Sequence, residues 1–427
     1  MCNFGGVTPE KLFHELLGLG LNWEVSESRF DRVRSLVVLE IRETERLWES
    51  ERCPQEGGRV YCYDHTEELV WRHLNVFEHQ CEIHCRLPRG KCRQCGHVYR
   101  VRPPWEGLSK HFSKEFEAYA LLLMREMPMA RVAELTGESD TRLWRMLFQH
   151  VDCAYAEADF SNVCCVGVDE MNLRKGHKYI SVFADLVAKR VIYAVEGNDQ
   201  QTWGSFVEAF EKHNGHRHSI TQVSMDMSVQ YKAGVREYCR NAQMVFDKFH
   251  VIAHANQGVD KVRKAEVRLG GKGIWESLNK SQWLWRKNPE NLTEKETQRL
   301  DQIKDKKLCT AKAYQMRLLL QDIYHSPTTQ KAKQGFLIWC RWVRWVARFH
   351  NPRLFAPMVK VANMIQNHLA GILAHWKWHL TNAFMEGLNS VFSAVKRRAR
   401  GYRSPEYLIT ILYLLKAKLR LPHGGLH

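Results

Sequence analysis

The chain has 427 residues, 44% hydrophobic and 26% charged, a balance that excludes wholesale disorder and predicts about two to three domains. Lys and Arg number 63 against 47 Asp and Glu, and the resulting +16 predicts a polyanionic partner such as a phosphate backbone. No run approaches 18 consecutive apolar residues and the start carries no secretion signal, so the expectation is a cytoplasmic protein with no membrane contact.

Residues 1–52 read as a structural segment: a short helix with Leu12, Phe13, Leu16 and Leu17, then a strand-like run from Val33 to Ile41. Residues 53–112 hold six of the 13 cysteines, too few overall for a disulfide scaffold but clustered like metal ligands. Cys92-Arg-Gln-Cys95-Gly has the form of a knuckle that points two thiolates at one zinc ion. In Cys53-Pro-Gln-Glu56-Gly, Glu56 stands where a second knuckle cysteine is expected, and Cys62 is the natural substitute. The expected zinc set is therefore Cys53, Cys62, Cys92 and Cys95. Cys81 and Cys85 share one face of a predicted strand and read as core residues.

Residues 113–152 carry three helical patterns, punctuated by Ser113, Pro128 and Gly137, in a helix-turn-helix outline. Thr141, Arg142, Arg145 and Gln149 of its third helix are expected to face a DNA groove. Residues 163–268 then change to α/β character. Three strands (Val163–Val168, Lys178–Ala184, Val191–Val195) precede a helix, a strand ending at Asp226, a helix, a strand ending at Asp247, and a long amphipathic helix. Three antiparallel strands followed by two strand–helix units form the ribonuclease H-like pattern. Residues 269–380 read as an all-helical insertion holding eight of the 14 tryptophans, with Trp339, Trp342 and Trp345 forming a stripe expected to pack in a core. Residues 381–427 begin with Glu386 and run into the densest basic segment, where Lys396, Arg397, Arg398, Arg400 and Arg403 are expected to contact phosphates.

Acidic residues at strand carboxyl ends occupy the usual position of active sites in open α/β sheets. Two hard divalent cations held by converging carboxylates can activate an attacking hydroxyl and stabilise the leaving oxygen in phosphoryl transfer. Asp169, placed by the sequence at the end of the first strand, Asp226 and the later Glu386 are the expected ligands and catalytic acids. Asp185 is a weaker fourth candidate.

Several segments together resemble a bacterial DDE transposase of the ISL-three insertion-sequence family. They are Trp71-Arg72-His73-Leu74, Cys92-Arg-Gln-Cys95-Gly, Val166-Gly-Val-Asp169-Glu170, Lys175-Gly-His-Lys-Tyr179, Ser224-Met-Asp226-Met, Phe246-Asp247-Lys-Phe-His250, Asn382-Ala-Phe-Met-Glu386-Gly-Leu-Asn389-Ser and Gly401-Tyr402-Arg403. The resemblance spans nearly the whole chain. It implies a multidomain α/β plus α architecture: an N-terminal zinc-binding segment, a helix-turn-helix, and a ribonuclease H-like catalytic domain interrupted by a helical insertion. It also implies Asp169, Asp226 and Glu386 as catalytic acids using Mg²⁺ or Mn²⁺. The expected activity is cleavage and strand transfer at the element's terminal repeats by a homodimer or larger assembly on nucleoid DNA. A catalytically silent DNA-binding protein and a nuclease without strand transfer are the competing readings.

Overall fold

Three tryptophans, Trp23, Trp71 and Trp105, meet edge to face under the first β-sheet of the computed structural model, with 5.1 and 5.9 Å between ring centres. The structure describes residues 8–174, 178–304, 308–378 and 383–422. Lys175, Gly176, His177, Thr381 and Asn382, which the sequence reading singles out, lie outside the described residues. By internal packing the chain divides into two units, Met1–Ala158 with Ser393–His427, and Asp159–Phe392.

In the first unit, α1 (Pro9–Leu17) precedes β1 (Trp23–Asp31), β2 (Leu36–Glu43) and α2 (Arg46–Ser50). Two long strands, β3 (Val60–Val76) and β4 (His79–Cys92), and the short β5 (Val98–Arg100) complete a sheet of order β1-β2-β4-β3, with β5 also on β4. The strand-like run at 33–41 is β2, shifted by a few residues, and β1 is an additional strand. Only Trp23 and Val25 of β1 are buried, so its polar remainder shows little of the alternation that marks a strand. Cys81 and Cys85 are core residues, and burial pushes both thiols up to about 12.

The helix-turn-helix pattern is α3 (Lys114–Glu126), α4 (Met129–Thr136) and α5 (Asp140–Ala156). Ser113 and Ser139 cap α3 and α5, accepting from the amides of Phe116 and Arg142. Gly137 ends α4 in the left-handed region, at φ +70°. Arg72 of β3 docks this motif on the sheet. Its buried guanidinium donates to the carbonyls of Cys81 (3.3 Å) and Thr136 (3.0 Å) and lies 3.7 Å from the Glu138 carboxylate.

The second unit opens with the antiparallel strands β6 (Cys165–Arg174), β7 (Lys178–Asp185) and β8 (Arg190–Glu196). Then come α6 (Gln200–Lys212), β9 (Gln222–Met225), α7 (Val229–Tyr238), β10 (Gln243–Phe246) and α8 (Lys248–Leu269). The sheet order is β10-β9-β6-β7-β8, with β9 parallel to both β6 and β10. Six helices follow: α9 (Lys272–Leu278), α10 (Glu294–Lys304), α11 (Cys309–Ile323), α12 (Thr329–Phe349), α13 (Pro352–Asn367) and α14 (Leu369–Trp378). The chain ends with α15 (Ala383–Arg398) and α16 (Pro405–Lys416).

The tryptophan stripe of α12 is core at one end only. Trp339 is buried and donates to the Met316 carbonyl at 2.8 Å, whereas Trp345 is 54% exposed. A step of three residues falls about 60° short of a full turn, so the stripe rotates off the core. The core positions are instead Phe336, Trp339, Cys340, Val343, Val346 and Ala347.

His73, beside Arg72, couples this architecture to pH. Its Nδ1 is 2.7 Å from Ser113 Oγ, and burial, then the Arg72 charge, pushes the imidazole down to about 4. The Glu115 carboxylate, 3.9 Å away, does not offset the burial. A histidine kept neutral in the folded state contributes stability that is present above its ordinary value of 6.5 and is lost as pH falls towards 4. Thermal melts at about pH 7.5 and about pH 5 are expected to show a loss on the order of 2 kcal/mol. His73→Gln should remove most of that difference; an equal loss in the variant would assign the pH dependence to other groups.

Candidate functional site

The parallel ladder of the second sheet sets three aspartates at one level. Gly167 pairs with Ser224 and Met225 with Phe246. Continued along each strand, that register brings Asp169, Asp226 and Asp247 abreast, each on the sheet face shared by Gly167 and Ser224. Asp226 and Asp247 follow the ends of β9 and β10, as the sequence predicts. Asp169 does not end its strand: it lies inside β6, opposite Val182 of β7. The antiparallel β6–β7 ladder runs on to Arg174, whereas the parallel ladder with β9 stops at Gly167. Asp169 therefore stands just past the end of the parallel ladder, and burial raises its carboxyl above the ordinary carboxylate range.

Gly167 lets α15 approach this face. A Cβ there would lie 2.7 Å from Leu186 Cδ2 and 3.0 Å from Met385 Sδ. Met385 is thus seated over the glycine, and Glu386 and Asn389 follow on the same helix. Asn389 donates through Nδ2 to Asp169 Oδ2 at 2.6 Å, while the Glu170 amide donates to Asp169 Oδ1 at 2.8 Å. Glu386 Oε1 is buried with no hydrogen-bond partner among the described residues, and burial, then Asp247, raises this carboxyl. Asp247 caps α8 by accepting from the Phe249 amide. His250 Nε2 lies 3.9 Å from Asp169 Oδ1 and 3.8 Å from Asp247 Oδ2. Asp247, His250 and Asn389 stand in segments that carry the family resemblance, which implies no role for them; the Asp-x-x-His spacing on a helix start is the sequence signal for the first two. Asp185 is separate from the group: it accepts from the Val187 and Ala188 amides and faces Arg190 in the β7–β8 turn.

The carboxylates suit a divalent cation. A buried oxygen with no partner and two carboxyls penalised by burial are stabilised by positive charge, and oxygen donors favour Mg²⁺ or Mn²⁺.

In the first unit, Cys53, Cys92 and Cys95 bring their sulfurs within 4.8 Å of one another. Cys53 and Cys95 are 3.7 Å apart, close to the ~3.8 Å edge of a zinc tetrahedron built on 2.3 Å bonds. Two matching knuckles make the cluster. The Cys53 amide donates to Gly58 O and the Cys92 amide to His97 O, at 3.0 and 2.9 Å. The Gly57 amide returns to Cys53 O and the Gly96 amide to Cys92 O, with both glycines at φ +70°. The backbone amides of Cys95 and Gln94 hold the Cys92 thiol below its ordinary value. By this correspondence Glu56 is the counterpart of Cys95. Cys62, expected in the zinc set, lies outside it. It sits in β3 opposite Gly90, about 7 Å of strand from the Cys92 level, and groups instead with Glu43 and His65.

On α5, Thr141, Arg145 and Gln149 are exposed, with Gln149 donating to Leu108 O at 3.0 Å. Arg142 is half-buried. It pairs with Glu138 at 2.6 Å and covers the Phe112 ring, so it braces the turn. The basic C-terminal segment packs on this motif. Arg398 donates to Glu126 O, Arg403 lies 3.6 Å from Asp140, and Tyr402 and Tyr407 meet Trp144 edge to face. Lys396 is half-buried, while Arg397 and Arg400 are exposed.

Residues 166–412 match a DDE family model of the ISL3 type, described as transposase, and residues 109–151 match the helix-turn-helix domain of transposase family ISL3. Similar proteins include the transposase for insertion sequence element IS1001 of Bordetella parapertussis, 25% identical over 87% of this chain and 88% of its own length. The transposase for insertion sequence element IS1557 of Mycobacterium tuberculosis is also 25% identical, over 98% of each chain. No helix among the described residues is long and apolar enough to cross a membrane.

The seating of Met385 on Gly167 is open to test by overpacking. Gly167→Val should destabilise the second unit by about 1–3 kcal/mol, read by denaturant titration. An unchanged unfolding midpoint would mean that α15 does not rest on this glycine.

Proposed function

Because this chain belongs to the ISL3 family of transposases, we propose that it binds the terminal repeats of its own insertion sequence and catalyses DNA strand cleavage and strand transfer. The observation that carries this reading is the common level of Asp169, Asp226 and Asp247, with the partnerless Glu386 Oε1 on the helix laid across them. The strand order, with three antiparallel strands and two parallel ones beside the first, supports a ribonuclease H-like catalytic domain. In that reading α9–α14 are the helical insertion, and Asp169, Asp226 and Glu386 are the catalytic acids.

Mg²⁺ or Mn²⁺ held by these carboxylates would supply activation of the attacking hydroxyl and stabilisation of the leaving oxygen. The chain's own contribution is orientation. Asn389 and the Glu170 amide fix the rotation of the Asp169 carboxylate, and Asn389 couples it to the helix bearing Glu386. His250 lies within 4 Å of both Asp169 and Asp247.

The helix-turn-helix would read the terminal repeats through Thr141, Arg145 and Gln149, with Arg142 bracing its turn. Lys396, Arg397, Arg398, Arg400 and Arg403, packed beside it, would contact backbone phosphates. Zn²⁺ would be held by Cys53, Cys92 and Cys95 to stiffen the N-terminal sheet. Two element ends must be processed together, so a dimer or larger assembly on nucleoid DNA in the cytoplasm completes the reading.

Labelled DNA carrying the flanking element's ends, incubated with Mg²⁺, should be cut by the wild type. Asp169→Asn should cut at least 100-fold more slowly, on the order of the loss of one electrostatic catalytic group, and retain end binding in a gel shift. Cleavage by the variant at the wild-type rate would remove Asp169 from the site. Cut ends that never join a target would leave a nuclease.

Zinc content separates the two cysteine assignments. Cys62→Ser should keep about one zinc per chain, whereas Cys92→Ser should lose it. The reverse pattern, measured by elemental analysis, would restore Cys62 to the set.

A further inference from the structure

Helix α8 carries a stripe of polar residues away from the carboxylates. His250, His254, Gln257 and Lys261 are spaced by four, three and four residues, so they share one helix face. The stripe starts at His250, 3.9 Å from Asp169. His254, one turn on, still feels the Asp226 charge. Beyond it the stripe becomes one wall of a groove of about 440 Å³, whose other wall is α13. Gly258 lets the helices close at its floor, since a Cβ there would lie 2.8 Å from Met358 Sδ.

The groove is basic without acidic compensation. Lys261 lines it from α8, and Arg353 and Lys360 line it from α13; the lining holds no carboxylate. All three are exposed, and among the described residues none is paired with an acid. The neighbouring cations of α8 behave differently: Arg263 and Lys264 both pair with Asp260, at 2.7 and 2.8 Å. Arg353 and Lys360 are seven residues apart, about 10 Å along the helix, or about three nucleotide steps of a B-form strand. Pro357, Val361 and Met364, also on α13, add apolar lining to the groove. Cations strung along a trough with apolar lining suit a chain of phosphates joined by sugars better than a single small anion, which needs donors converging on one point.

We propose that the α8–α13 groove holds the sugar–phosphate backbone of the DNA strand that passes over Asp169 and Asp226, with Lys261, Arg353 and Lys360 as its phosphate contacts. The inference rests on the transposase reading of the carboxylates and extends it to a DNA path within the second unit.

The test uses the full chain and a duplex of about 30 base pairs lacking the terminal repeats, with affinity followed by fluorescence anisotropy over a salt series. Each phosphate contact contributes about 0.9 to the slope of log affinity against log salt. Lys261→Ala/Arg353→Ala/Lys360→Ala should therefore lower that slope by about two to three. The charge-conserving triple variant, Lys261→Arg/Arg353→Lys/Lys360→Arg, should keep the wild-type slope. A fall of less than one unit in the alanine variant, or an equal fall in the charge-conserving one, would overturn the groove assignment. Should the triple variant fail to fold, each single alanine variant should lower the slope by about 0.9, and unchanged single slopes overturn it equally. Mg²⁺-dependent cleavage by the wild type is measured in parallel. Its absence would sink the transposase reading alone, because the salt slope reports the groove whether or not the strand is cut.

Discussion

The register of one short parallel ladder governs the carboxylate face. The pairing of β6 with β9 covers Cys165 to Gly167, and that of β9 with β10 covers Gln222 to Met225. A slip of one residue in either would turn an aspartate to the opposite face of the sheet. The apolar content of these strands resists such a slip: Val166, Val168, Val223, Met225 and Val245 are buried, and α14 packs on β10. Hydrophobic burial thus sets the positions of groups that are themselves costly to bury. α15 depends on the same register, because Met385 can seat only where Gly167 lacks a side chain, and the Asn389–Asp169 bond follows from that seating.

The first unit is organised around a different constraint, the buried guanidinium of Arg72. It has left water, so its donors must be met inside: Nη1 and Nη2 donate to carbonyls of β4 and of the end of α4, while Nε, with no hydrogen bond among the described residues, lies 3.7 Å from the Glu138 carboxylate. Losing the arginine would leave the Cys81 and Thr136 carbonyls without these donors and Glu138, whose carboxyl is already raised by burial, with Arg142 as its remaining ion pair. The helix-turn-helix is therefore fixed to the sheet by a charge that cannot be removed cheaply. Tyr402, Tyr407 and Arg403 grip the other side of α5. The basic tail and the exposed face of α5 consequently belong to one body.

Features written in local residues were legible in the sequence. The bounds of α3 and α4 and the start of α5 follow from Ser113, Pro128, Gly137 and Ser139, each acting within four positions of itself, whereas α5 continues past the expected end near His150 to Ala156. The strands of the second unit follow from runs of apolar residues. Features set by distant contacts were not legible. Asp169 was expected at a strand end because its apolar run stops there, but the β6–β7 hairpin extends the strand through polar residues. Asn389 acts on a group 220 residues away, and nothing in its own neighbourhood signals that bond. Cys62 was favoured as a ligand by residue type, whereas membership of the thiol cluster is decided by the knuckle backbone that Cys53 and Cys92 share.

Charge distribution ties these parts together. The chain carries +16, yet no ion pair to a lysine or arginine is formed by Asp169, Glu170 or Glu386 among the described residues, and burial is the largest influence on all three. Burial raises all three acids, so the face holds carboxyls whose charged forms are penalised. A protein with so many basic residues could have neutralised the cluster with a single arginine, as it neutralises Glu138 with Arg72 and Arg142. Within the second unit, Lys261, Arg353 and Lys360 instead stand in the α8–α13 groove, whose lining holds no carboxylate. Acids without cations suit a site that recruits metal, and cations without acids suit surfaces that recruit phosphate. Keeping the two apart within the second unit prevents each from satisfying the other, which would otherwise be the lower-energy arrangement for that unit alone.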